Sequence, residues 1–317
     1  MEKWKALVTR GFPGEGKERL RREFEVDQIP GWRTPSRLEL VERMRDVDVI
    51  LSYSDRFDAQ MMDQAPRLKL IACNWGRFAV DADAANARKI KVVSPPASYN
   101  WIINSTADIA IGLMITVGRR FRECHEMVLN NEFHHSETSN HFLLSEGLYG
   151  RTLGILGAGR IGRAVASRAV PFGLRLIYFD TAPNPEIEAL GAKFVSKNTI
   201  FKESDYLSVH LSDLDENIHF VGEEQIALMR KTAIFINTSR GRLIDEAALV
   251  KALVEKRIAG AGLEVYEHEP DVPKELLGMK NVFLLPHAGG ALFKERSDNF
   301  SFMVDECLKI KKRYEKK

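Results

Sequence analysis

The sequence contains few cysteines and no long hydrophobic run, and each scarcity excludes a class of protein. Its three cysteines are scattered along 317 residues without the spacing of metal ligands, so we expect reduced thiols without assigned chemistry. The longest apolar runs, at 109–117 and 174–179, are much shorter than the roughly 20 residues that cross a bilayer. We therefore expect no membrane span.

The sequence also has no marked excess of positive or negative charge, because its formal net charge is only +2. This balance gives no electrostatic drive toward nucleic acid. The N-terminus has no long apolar stretch that ends in a small-residue cleavage site, so we expect a cytoplasmic protein. No internal repeat or low-complexity tract is present, which excludes repeat architectures.

The composition is that of an ordinary globular protein, with 44% hydrophobic and 28% charged residues. At roughly 150 residues per domain, the chain is long enough for two domains. Strand and helix patterns alternate along it, which predicts α/β architecture with parallel sheets covered by helices. Strands are expected at 5–9, 47–52, 68–74, 91–93, 152–156, 175–179, 206–210, 233–237, 260–265 and 282–285. Helices are expected at 16–25, 37–44, 81–89, 105–131, 160–170 and 293–314.

Two breaks in this pattern predict crossings between domains. The first is at Ser94-Pro95-Pro96, because consecutive prolines remove backbone donors and disfavour helix before them. The second lies at 286–290, after which the last helix can return to the first domain. We therefore assign residues 1–98 and 288–317 to one discontinuous domain and residues 99–287 to the other.

A glycine-rich turn is the most specific local signal. Gly157, Gly159 and Gly162 follow an apolar strand and open a helix, a context in which glycines admit a pyrophosphate to a helix N-terminus. Asp180 ends the next strand, where a carboxylate can bind the adenosine ribose and repel a 2′-phosphate. The pattern favours NAD over NADP, although Asp180 could instead cap a surface helix.

Three segments of the second half carry a longer match. They are FINTSRGRLIDEAAL at 235–249, GAGLEVYEHEP at 260–270 and LPHAGG at 285–290. Together with Asn74-Trp75-Gly76 and Ser105-Thr106-Ala107-Asp108, they resemble the D-isomer-specific 2-hydroxyacid dehydrogenase family over nearly the whole chain.

The resemblance implies two Rossmann-like domains, one flavodoxin-like and catalytic, the other dinucleotide-binding and inserted into the first. It also implies hydride transfer between NAD and C2 of a small 2-oxo or 2-hydroxy acid.

The resemblance assigns three catalytic side chains. Arg240 matches the arginine that binds the substrate carboxylate and carbonyl oxygen, and a guanidinium suits a planar oxyanion. His287 matches the acid/base that protonates the carbonyl oxygen during reduction. Glu269 matches the carboxylate that pairs with this histidine and favours the imidazolium, with Glu267 as its near competitor.

The resemblance also implies further cofactor contacts. Arg160 and Ile161 are expected on the pyrophosphate. Glu264 stands where the family usually has Asp, as an acceptor for the carboxamide, with its geometry altered by one methylene. The residues expected near the nicotinamide are Thr106, Thr238, Ser239 and Gly289.

The substrate pocket is less defined. Tyr53, Trp75 and Gly76 are expected to bind substrate together with Arg240 and His287, and the bulky aromatic residues favour an apolar pocket. The hypothesis is a 2-oxo acid with an uncharged side chain rather than a phosphorylated one. No metal is expected, because the loop histidines lack ligand spacing; they are His134, His135 and His141.

Two other functions remain open for the same fold. A formate dehydrogenase would carry Gln as the partner of the histidine, where this chain has Glu269, which counts against that activity. An NAD-sensing corepressor would keep the pocket and act by binding protein partners. The resemblance further implies a homodimer formed through the coenzyme domains.

Overall fold

The structure, a computed structural model, describes residues 3–31, 33–74, 79–96, 101–132 and 143–316. The chain divides into two compact units, Met1–Asn100 with Ala291–Lys317, and Trp101–Gly290. Each boundary falls two or three residues after the position expected from the sequence. Trp75, Gly76 and the loop histidines 134, 135 and 141 lie outside the described residues.

The first unit is built on a sheet of five parallel strands in the order β2-β1-β3-β4-β5, the order of flavodoxin-like folds. The strands are β1 (Trp4–Val8), β2 (Phe24–Gln28), β3 (Val49–Ser52), β4 (Leu70–Cys73) and β5 (Lys91–Val93). Every residue of β3 and β4 is buried, as expected for inner strands covered on both faces.

Helices cover both faces of this sheet. They are α1 (Gly16–Glu23), α2 (Arg37–Met44), α3 (Ala59–Asp63), α4 (Ala82–Ala87) and the C-terminal α13 (Phe293–Glu315). Ser36, Asp58 and Asp81 precede α2, α3 and α4, and each side chain accepts a hydrogen bond from a backbone N–H of the first turn. These caps explain where the three helices begin.

The second unit contains seven parallel strands in the order β12-β11-β10-β9-β6-β7-β8. They are β6 (Thr152–Leu156), β7 (Arg175–Phe179), β8 (Lys193–Phe194), β9 (Tyr206–Val209), β10 (Ile234–Asn237), β11 (Gly260–Leu263) and β12 (Val282–Leu284). The order of the strands reverses between β6 and β9, which makes a topological switch point where doubly wound sheets bind ligands.

Eight helices accompany this sheet among the described residues. They are α5 (Trp101–Gly118), α6 (Phe121–Leu129), α7 (Arg160–Ala169), α8 (Pro185–Glu188), α9 (Lys197–Glu203), α10 (Glu223–Leu228), α11 (Glu246–Val254) and α12 (Lys274–Leu277). Helix α5 is the one described helix with the length and apolarity of a membrane span. It packs against α7, β10 and β11, as a core helix of its unit does. The predicted α/β fold with two parallel sheets is confirmed.

Two predicted elements are wrong. The helix expected at 105–131 is two helices, because α5 ends at Gly118 and Arg120 has a left-handed φ of +52° before α6. A side chain at Gly118 would collide with the hydroxyl of Tyr206. The helix expected at 16–25 ends at Glu23, and Phe24–Gln28 forms the edge strand β2.

Candidate active site

The glycine-rich turn lies at the switch point of the second sheet. Gly157 follows β6 with φ +95°, and a Cβ there would come within 2.6 Å of the carbonyl oxygen of His210, which follows β9. A Cβ on Gly162 would overlap the carbonyl oxygen of Gly157. Gly159 caps the N-terminus of α7. The three glycines therefore form a close-packed cradle that is open at Gly159, where α7 begins, and a helix N-terminus in this position suits a pyrophosphate.

Asp180 stands beside this turn, at the carboxyl end of β7. Its Oδ2 accepts a hydrogen bond from Ala158 N at 2.7 Å, and its Oδ1 accepts one from Thr181 N at 2.7 Å. The carboxylate is thus tied to the glycine turn rather than to a helix of its own. Arg160 is exposed at the start of α7, and Ile161 is partly buried.

The other predicted residues of this unit follow three neighbouring strands. Thr238, Ser239 and Arg240 come after β10, Glu264 comes after β11, and His287 comes after β12. Because carboxyl ends of parallel strands share one edge of the sheet, the fold brings these separate segments to the same side.

Glu269 and His287 are in direct contact. His287 Nδ1 lies 2.8 Å from Glu269 Oε2, and Glu269 Oε1 accepts from Tyr266 N at 3.1 Å. Glu267, the competitor, is instead 2.5 Å from His219 Nε2. The hydrogen bond from Tyr266 N thus orients the Glu269 carboxylate toward His287. The second ring nitrogen of His287, Nε2, lies on the side of the ring away from Glu269.

Arg240 lies apart from this pair in its described contacts. Its NH1 donates to Ser239 O at 2.7 Å, and its Nε is 3.7 Å from Asp213 Oδ2. Asp213 is held more closely by Arg242, whose Nε is 2.5 Å from Oδ1. Half of the Arg240 side chain is exposed. The guanidinium is therefore accessible to a ligand, with an acidic neighbour that is already paired.

Three buried polar atoms at this edge have no hydrogen-bond partner among the described residues: His210 Nδ1, Thr238 Oγ1 and Glu264 Oε2. Glu264 is 1% exposed, and burial raises the pKa of its carboxyl group, an effect opposed by bonds from the Ala288 and Gly289 amides. Unsatisfied buried polar groups indicate a missing ligand or water. Together with the glycine cradle, they show that the residues present fit a dinucleotide.

The first turns of α5, which contain Ser105 and Thr106, lie next to Gly289. Thr106 is buried, and its Oγ1 is 3.5 Å from the position of a Cβ on Gly289. Ser105 Oγ donates to Gly289 O at 2.5 Å. Ser239 Oγ donates to Leu211 O at 2.7 Å and is thereby tied to the segment after β9.

In the first unit, Tyr53 follows β3 and has cationic surroundings. The guanidinium carbon of Arg10 is 5.8 Å from its ring centroid, and that of Arg296 is 5.3 Å away. Arg10 is paired with the buried Asp55 at 3.0 Å. Tyr53 also packs against the hydrophobic cluster of the first unit, and the expected apolar substrate pocket stays a prediction, because Trp75 lies outside the described residues.

The sequence reasoning missed two residues of this region. Asp213 pairs with two arginines. His210 contacts Ser208 Oγ through Nε2 at 2.8 Å, while its Nδ1 is buried without a partner in the described part of the chain, and burial lowers the pKa of the ring to about 3. Both residues follow β9, next to the switch point of the sheet. This position in the sequence was the signal that could have identified them as residues of the candidate site.

The glycine cradle at the switch point, with a carboxylate at the end of β7, defines the second unit as a Rossmann-type dinucleotide-binding domain. Comparison with known proteins agrees. Residues 111–289 match the family model described as D-isomer specific 2-hydroxyacid dehydrogenase, NAD binding domain. The chain belongs to the D-isomer specific 2-hydroxyacid dehydrogenase family, as the sequence predicts.

Similar proteins cover nearly the full length. A glyoxylate reductase of Thermococcus litoralis is 40% identical over 297 residues, which are 92% of this chain and 89% of that protein. The crystal structure of an NADPH-dependent glyoxylate/hydroxypyruvate reductase from Sinorhizobium meliloti has a TM-score of 0.76 and 32% identity, covering 95% of this chain and 92% of the other. A structure from Thermus thermophilus has a TM-score of 0.83 and 36% identity, with 95% and 94% covered. The chain is therefore a nicotinamide-dependent dehydrogenase that acts on the CH–OH group of 2-hydroxy acids.

Proposed function

We propose that the protein reduces a small 2-oxo acid of the glyoxylate and hydroxypyruvate class to the D-2-hydroxy acid with NADH. The observation that carries the proposal is the contact of 2.8 Å between His287 Nδ1 and Glu269 Oε2, at the sheet edge that Arg240 also reaches. The names of the similar reductases support this substrate class.

In the proposed mechanism, Arg240 binds the substrate carboxylate and orients the neighbouring carbonyl group. His287 donates a proton from Nε2 to the carbonyl oxygen, and Glu269 stabilises the imidazolium that precedes this transfer. A bound nicotinamide supplies the hydride for C2. In the oxidative direction, His287 takes the proton back. Tyr53, Trp75 and Gly76 are proposed to contact the substrate.

We propose NADH rather than NADPH because of Asp180. Its carboxylate is fixed beside the glycine turn by Ala158 N and Thr181 N. A negative charge at the end of β7 accepts hydrogen bonds from ribose hydroxyls and repels a 2′-phosphate. The Sinorhizobium meliloti relative is NADPH-dependent, so the family does not fix this choice.

A pair of neighbouring arginines tests the proposed function. Arg240→Gln should raise KM for glyoxylate and lower kcat/KM by about 100-fold or more, because a charge-assisted contact to the carboxylate is lost. Arg242→Gln is the matched control, since Arg242 pairs with Asp213 and Asp215. Equal effects of the two substitutions on NADH-dependent glyoxylate reduction would contradict the role of Arg240.

We further propose a homodimer through the second unit. Helix α6 exposes several large apolar side chains, with Phe121 at 50%, Val128 at 60% and Leu129 at 70% of their surface. Exposed apolar patches of this kind mark protein interfaces. Sedimentation equilibrium should give twice the chain mass for the natural sequence and less for Val128→Asp with Leu129→Asp; a monomer for the natural sequence would refute the dimer.

A further inference from the structure

We infer that Glu264 is a positioning residue for the loop 287–289. It holds this loop in the conformation that places the imidazole of His287 beside Glu269. The inference rests on the proposed acid–base role of His287. Glu264 directly follows β11, and three consecutive residues of the loop, 287–289, donate backbone hydrogen bonds to this one residue.

The contacts involve both the main chain and the side chain of Glu264. Its carbonyl oxygen accepts from His287 N at 3.0 Å. Its Oε1 accepts from Ala288 N and, at 3.2 Å, from Gly289 N. On the other side of the loop, Ser105 Oγ donates to Gly289 O. The loop is thus fixed at four points, of which three belong to Glu264.

The loop needs such restraint because of its backbone. His287 has a φ of +52°, in the left-handed region that residues other than glycine seldom adopt. Such a conformation persists only where the surroundings hold it. The direction of the imidazole follows from this backbone, so a relaxed loop would move Nδ1 away from Glu269 Oε2.

A glutamate is suited to this task by its reach and charge. The buried side chain extends from the end of β11 to two successive N–H groups of the loop, and bonds to a carboxylate are stronger than bonds to a neutral acceptor. Its second oxygen, Oε2, is buried without a partner among the described residues and remains available to an N–H donor of a ligand. The same carboxylate can therefore connect the loop to a bound cofactor.

Hydrogen exchange in the ligand-free protein tests the restraint without any catalysis. The amides of Ala288 and Gly289 should exchange at least about tenfold faster in Glu264→Ala than in the natural protein, because their acceptor is gone. Asp205→Ala is the matched control: Asp205 Oδ2 accepts from Thr152 N at 2.8 Å at the opposite edge of the same sheet. It should leave exchange at 288 and 289 unchanged.

Kinetics test the consequence for His287. Glu264→Ala should lower kcat by about 10- to 100-fold with KM for the oxo acid nearly unchanged, because the imidazole is displaced. Glu264→Gln keeps an oxygen acceptor but loses the charge, so its kcat and its exchange at 288 and 289 should lie between those of Glu264→Ala and the natural protein, and this variant serves if the alanine variant fails to fold. Asp205→Ala should leave kcat unchanged.

The outcomes separate this inference from the function on which it rests. Unchanged exchange at 288 and 289 together with unchanged kcat in Glu264→Ala overturns the positioning role. If His287→Gln retains full activity, the acid–base role fails, while faster exchange in Glu264→Ala would still establish that Glu264 holds the loop. A KM effect of Glu264→Ala without a kcat effect also contradicts the inference.

Discussion

A Cβ on Gly162 would overlap the carbonyl oxygen of Gly157, five residues earlier in the same turn. The first turn of α7 can therefore pack on the end of β6 only if residue 162 has no side chain. This close approach places the helix N-terminus where the proposed dinucleotide would meet it.

Gly162→Ala should accordingly destabilise the fold and weaken cofactor binding. Overpacking against backbone is expected to lower the free energy of unfolding by about 1–3 kcal/mol. Gly112→Ala is the control, because Gly112 lies in α5 with no described atom within 4 Å of its Cβ position. That change should stabilise the protein slightly. Denaturant titration and NADH fluorescence measure both effects; equal behaviour of the two variants would contradict the packing argument.

Glu269→Gln should lower kcat by about 100-fold, because the amide keeps the shape of the carboxylate but no longer stabilises the imidazolium of His287. Glu267→Gln is matched in chemistry and lies two residues away, where it contacts His219. It should change kcat by less than about threefold. Steady-state rates with NADH and glyoxylate compare the two, and a larger effect of Glu267→Gln would reverse the assignment.

Asp180→Asn should shift cofactor preference. The amide oxygen can still accept from Ala158 N, but the charge that opposes a 2′-phosphate is removed. We expect KM to rise for NADH and fall for NADPH, with the ratio of kcat/KM values changing by about tenfold or more. Glu186→Gln, on the nearby helix α8, controls for a general change of surface charge. An unaltered ratio would show that Asp180 does not select the cofactor.

His210 should make the protein sensitive to acid. Burial lowers the pKa of its ring to about 3 in the folded state, whereas the unfolded chain takes up a proton below about pH 6.5. The unfolded state therefore binds more protons between these values, and stability falls as the pH falls through this window. The loss should reach about 2 kcal/mol at pH 5 and vanish above neutrality.

His210→Gln should remove this part of the acid sensitivity. Urea titrations at pH 5 and pH 7.5 measure the difference in unfolding free energy for each protein. His125→Gln is the control, because His125 is exposed on α6. If the natural protein and His210→Gln lose the same stability between the two pH values, His210 does not bind its proton on unfolding.

Local patterns predicted most strands of both sheets, because inner parallel strands are continuous apolar runs. The edge strand Phe24–Gln28 was missed since charged Glu25 and Asp27 interrupt it and it follows α1 without a break. The end of α5 at Gly118 was missed for another reason. Gly118 lies where a Cβ would collide with the hydroxyl of Tyr206, and a local pattern contains no sign of a neighbour so far along the chain.

The candidate site likewise combines features that local sequence predicts with features that depend on contacts between distant residues. The glycine turn is local in sequence and could be read directly, and the resemblance supplied the identities of Glu269 and His287. Their distance of 2.8 Å, in contrast, depends on the loops after β11 and β12. The pairing of Asp213 with Arg240 and Arg242 could not be predicted, because it depends on how the loops after β9 and β10 meet.

That pairing has a consequence for ligand exchange. Arg242 neutralises Asp213 whether or not Arg240 is nearby, since its Nε lies 2.5 Å from Oδ1. If Arg240 turns toward an incoming carboxylate as proposed, Asp213 keeps its pairing with Arg242, and the arriving acid displaces a contact of 3.7 Å rather than a tight ion pair. A carboxylate can thus bind Arg240 without first having to break a tight ion pair.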